Sequence, residues 1–192
     1  SEYGTNAKAP KEHDHLLPNS HYAISKAAAS LAISYFGKTK GFPVVNLRLY
    51  SVYGKYEDSS RLIPTLCIKS IAGLLPLLGS AKTERDFVHV DDVTTAFLDA
   101  ALNMNPEIYG ESINIGTGIK TSLSQLSDIA IDAFNLTAIP KFDSSQSRLW
   151  DTADWYADPG KAKEVIGWTA KKILKDELPA LQKWWTHALQ NN

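Results

Sequence analysis

The spacing of apolar and polar residues divides the chain into alternating helical and extended segments. Residues 5 to 20 are polar and punctuated by Pro10 and Pro18, the pattern of a loop. A small-residue run then predicts a helix from about Ser20 to Lys38, closed by Gly37 and Gly41. Val44-Val45-Asn46-Leu47-Arg48-Leu49-Tyr50 is short and largely apolar, as in a strand covered on both faces. Leu62 to Leu74 reads as an amphipathic helix entered through Pro64, and Thr83 to Val90 alternates like a strand. Asp91-Asp92 is read as the cap of a helix from Val93 to Leu102, with both carboxylates at its positive end. That role leaves no metal site to expect there. Ser112 to Ile115 predicts a strand breaking into the turn Gly116-Thr117-Gly118, and Ser124 to Phe134 another helix. Residues 140 to 158 are irregular, and Lys161 to Ile166 and Asp176 to Leu189 close the chain as short helices. Ser1-Glu2-Tyr3-Gly4 reads as a strand end running into a loop. Strands and helices in alternation, with short connections, predict an α/β fold with a parallel sheet.

Composition narrows the function classes. The 192 residues, 44% hydrophobic and 21% charged, suit a globular protein with a substantial core. A formal net charge of -1 offers no basic excess for phosphates, so neither nucleic acid nor an anionic membrane is an expected partner. No apolar run approaches the ~20 residues that span a bilayer, and no signal segment opens the chain. With a single cysteine, Cys67, among apolar neighbours, the expectation is a core thiol in a reducing cytoplasm. The absence of an initiating methionine leads us to expect a fragment or a processed product.

Candidate chemistry begins at His21-Tyr22-Ala23-Ile24-Ser25-Lys26. On a helix, positions i and i+4 share a face, so Tyr22 and Lys26 project side by side. An ammonium beside a phenol stabilises the phenolate, and such a pair can exchange a proton with a sugar or alcohol hydroxyl near neutral pH. Other polar residues have plainer readings. His89 on an alternating strand reads as a satisfied core or edge residue, and Trp168, Trp184 and Trp185 as packing.

Five segments taken in order resemble the extended short-chain dehydrogenase/reductases that act on nucleotide sugars. Ser1-Glu2-Tyr3-Gly4 is similar to the end of that family's Ser/Thr-rich strand, and Tyr22 to Lys26 to its catalytic helix. Arg48-Leu49-Tyr50-Ser51-Val52-Tyr53-Gly54 resembles the strand entering its substrate loop. Arg85-Asp86-Phe87-Val88-His89-Val90-Asp91-Asp92-Val93, followed by Asn114 to Gly118, is similar to its most recognisable stretch. Asp158-Pro159-Gly160-Lys161-Ala162, with Gly167-Trp168 after it, echoes its C-terminal signature.

The resemblance implies an NAD(P)-dependent epimerase, dehydratase or reductase that oxidises a nucleotide-diphosphate sugar, usually at C4. The implied fold is the second half of a Rossmann-like doubly wound parallel sheet plus a smaller α/β substrate-binding domain. Residues 1–56, with 88–118 returning to them, would form the first part; 57–87 and 119–192 would form the second. Tyr22 would be the acid/base, and Lys26 would hold the nicotinamide ribose. Tyr50 would lie by the cofactor and Ser51 by the substrate, where the family often has Asn. Arg85 and Arg148 would meet the diphosphate, as the planar Arg fork suits phosphate. Arg61 and Leu62 would border the base. Ser1, in a shifted register, would take the place of the family's catalytic Ser or Thr, and Glu2 that of the dehydratase acid/base. A homodimer through the Tyr–Lys helix is implied, helped by the small residues between Ala27 and Tyr35. The family's glycine-rich pyrophosphate turn does not precede Tyr22, so the chain alone is expected to be inactive. Two other classes stay open: a catalytically silent nucleotide-binding relative, and a reductase of small ketones.

Overall fold

The computed structural model describes residues 2–6, 8–143, 145 and 154–190. Two of the expected site residues, Ser1 and Arg148, lie outside them.

The expected first helix is present as α1, His21–Lys40. Ser20 starts it by accepting a hydrogen bond from the Ala23 N–H, and Gly41 ends it in the left-handed conformation (φ 68°). Strand β1, Asn46–Leu49, and strand β6, Ser112–Ile115, pair in parallel with Arg48 opposite Asn114. Their two faces differ in chemistry. Leu47, Ile113 and Ile115 face an apolar cluster with Val93, Ala96 and Ala100 of α3 (Val90–Leu102) and Ala162 and Ile166 of α5 (Gly160–Ile166). Trp168 closes that cluster, its indole N–H donating to the Asp92 carbonyl at 2.9 Å. Asn46, Arg48 and Asn114 instead bond to polar groups beneath α1.

Strands β2, Ser51–Tyr53, and β5, Phe87–His89, pair in parallel and join this cluster to a second one. Val52 and Val88 face the first; Tyr53 and Phe87 face the second. The second is built from α2 (Leu62–Ile71), α4 (Leu123–Phe134) and α6 (Leu174–Gln190), around Leu66, Cys67, Leu126, Leu178 and Trp185. Burial there pushes the Cys67 thiol up to about 12, as suits an inert core residue. Short strands β3 (Leu77–Leu78) and β8 (Lys141–Phe142) pair in parallel, while β4 (Glu84–Arg85) and β7 (Thr121–Ser122) pair antiparallel. α5 and Trp168, which the sequence reading assigned to the substrate region, pack with the β1–β6 pair instead.

Four sequence expectations need correction. Thr83 to Val90 is not one strand: it breaks at Asp86 into antiparallel β4 and parallel β5. Asp91-Asp92 does not cap α3. The helix starts at Val90, and its cap is His89, whose Nδ1 accepts from the Asp91 N–H at 3.1 Å. The α2 helix stops at Ile71, short of Leu74, because the chain turns through Ala72 and Gly73. Glu2 and Tyr3 lie in a turn rather than a strand, followed by a single bridge from Gly4 to Leu17.

Candidate active site

The direction of α1 sets the geometry. Its C-terminal turn lies against Gly110, just ahead of β6; a Cβ on Gly37 would stand 2.0 Å from the Gly110 nitrogen. Such an approach excludes any side chain at position 37. Further back, the Ser30 hydroxyl lies 2.6 Å from the Asn46 amide, at the start of β1. From Ser30 to Tyr22 the helix rises ~12 Å, while β1 advances ~13 Å from Asn46 to Tyr50. Tyr22 therefore comes level with Tyr50, at the carboxyl end of the strands. That end is where ligands bind in open α/β sheets.

On α1, the Lys26 ammonium stands over the Tyr22 ring, 5.5 Å from its centroid. Both side chains face outward, and Tyr22 is 62% exposed. Ala23 and Ala27, the small residues beside them, are buried against the chain's own body. Other small residues of the helix, Ala28, Ala29 and Ala32, are exposed. The exposed side of α1 carries Ile24, Leu31 and Tyr35.

A second group surrounds Asp86. Tyr50 is buried, with its ring centroid 5.8 Å from that of Trp155 and its hydroxyl without a partner among the described residues. Burial pushes its phenol well above the ordinary range, so it keeps its proton. Ser51 follows, half-buried, with its N–H donating to the Asp86 carbonyl at 2.9 Å. Arg85 precedes Asp86 on β4, opposite Thr121 of β7, and its guanidinium donates to the Glu84 carbonyl at 2.8 Å. Lys120 reaches Glu84 at 3.2 Å, and Lys8 reaches Asp154 at 3.0 Å. Tyr50 and Ser51 thus lie beside Asp86 and Arg85, with Ser51 bonded to the Asp86 backbone, and Tyr22 and Lys26 join them only through the topology.

The remaining expected residues sit apart. Arg61, ahead of α2, is exposed and bonds Glu57 at 3.1 Å; Leu62 packs on the second apolar cluster. Glu2 does not reach the Tyr22 pair. Its carboxylate is buried and ion-paired with Arg48, and also accepts from the Ser30 hydroxyl. Arg48 in turn donates to the Tyr3 hydroxyl at 2.7 Å, which donates to Asn114 at 2.8 Å. A carboxylate so held is a structural anchor, and no proton-transfer role follows for it from this position. Sequence reading gave neither Asp86 nor Arg48 a role at the site, and weighed Asp86 only as a surface ion-pair partner of Arg85. For Arg48 the signal was a charged residue inside an otherwise apolar strand, which in a covered sheet demands a buried partner. Asp86, following Glu84 and Arg85, carried no such signal.

Parallel strand pairs, an antiparallel helix laid along them and a Tyr–Lys pair at their carboxyl end define a doubly wound α/β protein of the dinucleotide-binding kind. The chain belongs to the NAD dependent epimerase/dehydratase family, whose profile matches residues 1–116. It is 30% identical over 187 residues to a putative UDP-glucose 4-epimerase of Methanocaldococcus jannaschii, covering 95% of this chain and 59% of that one. Among solved structures it is similar to UDP-glucose 4-epimerase of Thermotoga maritima with UDP-glucose, at 27% identity and a TM-score of 0.84, covering 97% and 60% of the two chains. It also resembles dTDP-glucose 4,6-dehydratase of Bacillus anthracis in complex with NAD, at 25% identity and a TM-score of 0.81, covering 98% and 60%. The chain thus spans about three fifths of the length of these relatives.

Proposed function

We propose that this chain is the substrate-side part of an NAD(P)-dependent nucleotide-sugar epimerase or dehydratase. The observation that carries the reading is the Lys26 ammonium over the Tyr22 ring, level with the carboxyl ends of β1 and β6. NAD(P), when bound, supplies the hydride acceptor. The residues present fit part of that cofactor. Lys26 and Tyr22 offer an ammonium and a hydroxyl for ribose oxygens, and the buried Tyr50 hydroxyl has no partner among the described residues. The glycine-rich pyrophosphate turn is not in this sequence before Tyr22, so these residues alone hold only the nicotinamide end.

Tyr22 takes the proton from the sugar hydroxyl, usually at C4, onto its Oη, and returns it when the sugar is reduced again. Lys26, standing over the same ring, holds the nicotinamide ribose hydroxyls and so orients the cofactor beside Tyr22. Arg85 faces the diphosphate and Ser51 the sugar, with Arg61 and Leu62 at the base. The exposed Ile24, Leu31 and Tyr35 face of α1 is the proposed homodimer contact. The single buried thiol, Cys67, accords with work in the cytoplasm.

The test is a thermal-shift panel of UDP-, dTDP-, CDP- and GDP-sugars on the chain, followed by assays for turnover with NAD added. A rise in melting temperature with one base identifies the substrate class by mass action. No turnover is expected from the chain alone. Turnover of any nucleotide sugar by it would overturn the assignment as a partial enzyme, and no shift with any of the four would overturn the substrate class.

A further inference from the structure

Asp86 is fully buried, and its carboxylate is occupied by four donors. One oxygen accepts from the Thr117 N–H at 2.9 Å and the Thr117 hydroxyl at 2.6 Å. The other accepts from the Gly118 N–H at 2.9 Å and the Ala157 N–H at 3.1 Å. A carboxylate offers about four acceptor sites, so this one is saturated and has none left for a ligand. Burying it is tolerable because charge-assisted bonds from backbone N–H groups replace its water. Asp86 therefore acts through what it fixes.

What it fixes is the candidate site. Its side chain clamps the Gly116-Thr117-Gly118 turn and the segment carrying Trp155 to one point, and its carbonyl oxygen receives the Ser51 N–H. The fit leaves no slack: a Cβ on Gly116 would stand 2.7 Å from the Asp86 carboxylate and 2.7 Å from the Ala157 methyl. Arg85, the last residue of β4, immediately precedes Asp86. The strand it pairs with, β7, begins just beyond the clamped turn, with Thr121 opposite Arg85. The backbone of Arg85 is thus tethered on one side by strand pairing and on the other by its neighbour's carboxylate.

We propose that Asp86 is a positioning residue that sets where Arg85 meets the substrate diphosphate, with the Gly116–Gly118 turn as its counterpart. The proposal rests on the reading of Arg85 as a diphosphate contact.

A double-mutant cycle tests it, by calorimetric titration of UDP and dTDP into the 192-residue chain. Thr117→Val removes one donor at constant volume, Thr117→Ser restores the hydroxyl, and Gly116→Ala crowds the carboxylate. Each is made alone and with Arg85→Met. Thr117→Val and Gly116→Ala are expected to weaken binding about fivefold with Arg85 present, with Thr117→Ser close to the unmodified chain. In the Arg85→Met background the same changes are expected to shift affinity by less than about twofold, because their effect passes through the missing guanidinium. Equal losses in both backgrounds would make Asp86 a general stabiliser, and no loss in either would make it irrelevant to binding. Both outcomes overturn the proposal and leave the Arg85 reading standing. If Arg85→Met itself binds as tightly as the unmodified chain, or neither nucleotide binds, the Arg85 reading fails and the proposal fails with it.

Discussion

Glu2 and Arg48 form an ion pair sealed beneath α1, with 9% and 7% of their side chains exposed. Removing one partner strands the other charge out of water, at a cost of about 3–5 kcal/mol. Glu2→Gln and Arg48→Met are each expected to lower the unfolding free energy by about that much in urea titrations. The double substitution should lose clearly less than the sum of the two. Strict additivity would show that the pair is not coupled.

Tyr22→Phe deletes the one oxygen on which the proposed proton transfer depends. In a protein joining this chain to a cofactor-binding half, kcat is expected to fall by about 10²–10⁴. Since Tyr22 is largely exposed, thermal stability should change by less than about 0.5 kcal/mol. Activity retained within a few-fold would remove Tyr22 from the mechanism.

Tyr50→Phe should have effects of opposite sign on stability and on binding. A buried hydroxyl without a partner costs about 1–3 kcal/mol of desolvation, so its removal is expected to raise the melting temperature of the ligand-free chain. If that hydroxyl serves the nicotinamide end of the cofactor, the same change should weaken cofactor binding in the joined protein. Unchanged cofactor affinity would assign Tyr50 to packing against Trp155 alone.

His89 gives the fold a pH dependence of defined sign. Burial lowers its affinity for a proton below the ordinary value of 6.5, against the opposing pull of Asp91 and Glu177. The unfolded chain then binds the proton more readily than the native one. The contribution is complete above pH 6.5 and is lost as the pH falls from there toward the lowered native value. Protonation also removes the Nδ1 lone pair that caps α3. His89→Asn keeps a capping oxygen without the titration, so thermal midpoints between pH 8 and 5 should show a step in the unmodified chain that the variant lacks.

Much of the fold was legible because the signals were local. Ser20 and Gly41 bracket α1 as caps, and Gly116-Thr117-Gly118 ends β6 as a turn. The family resemblance also rested on contiguous residues such as Tyr22, Lys26 and Arg85. What escaped was non-local. Nothing near Asp86 in sequence announces that its partners are Thr117, Gly118 and Ala157, or that it would break one alternating run into two strands. His89 became a cap because α3 begins one turn earlier than Asp91-Asp92 suggested, with its imidazole lodged between Tyr53 and Glu177. Glu2 looked catalytic beside the first motif because its counter-ion lies 46 residues away.

The unlike faces of the β1–β6 pair also give it a reading frame. Slipping β1 by one residue would drop Asn46 and Arg48 among Ile113, Ala162 and Ile166, and would lift Leu47 toward the carboxylate of Glu2. A uniformly apolar pair would tolerate that error at modest cost. Here the misaligned state buries an unmatched charge on each side of the sheet, so mispaired intermediates are discouraged before the helices dock.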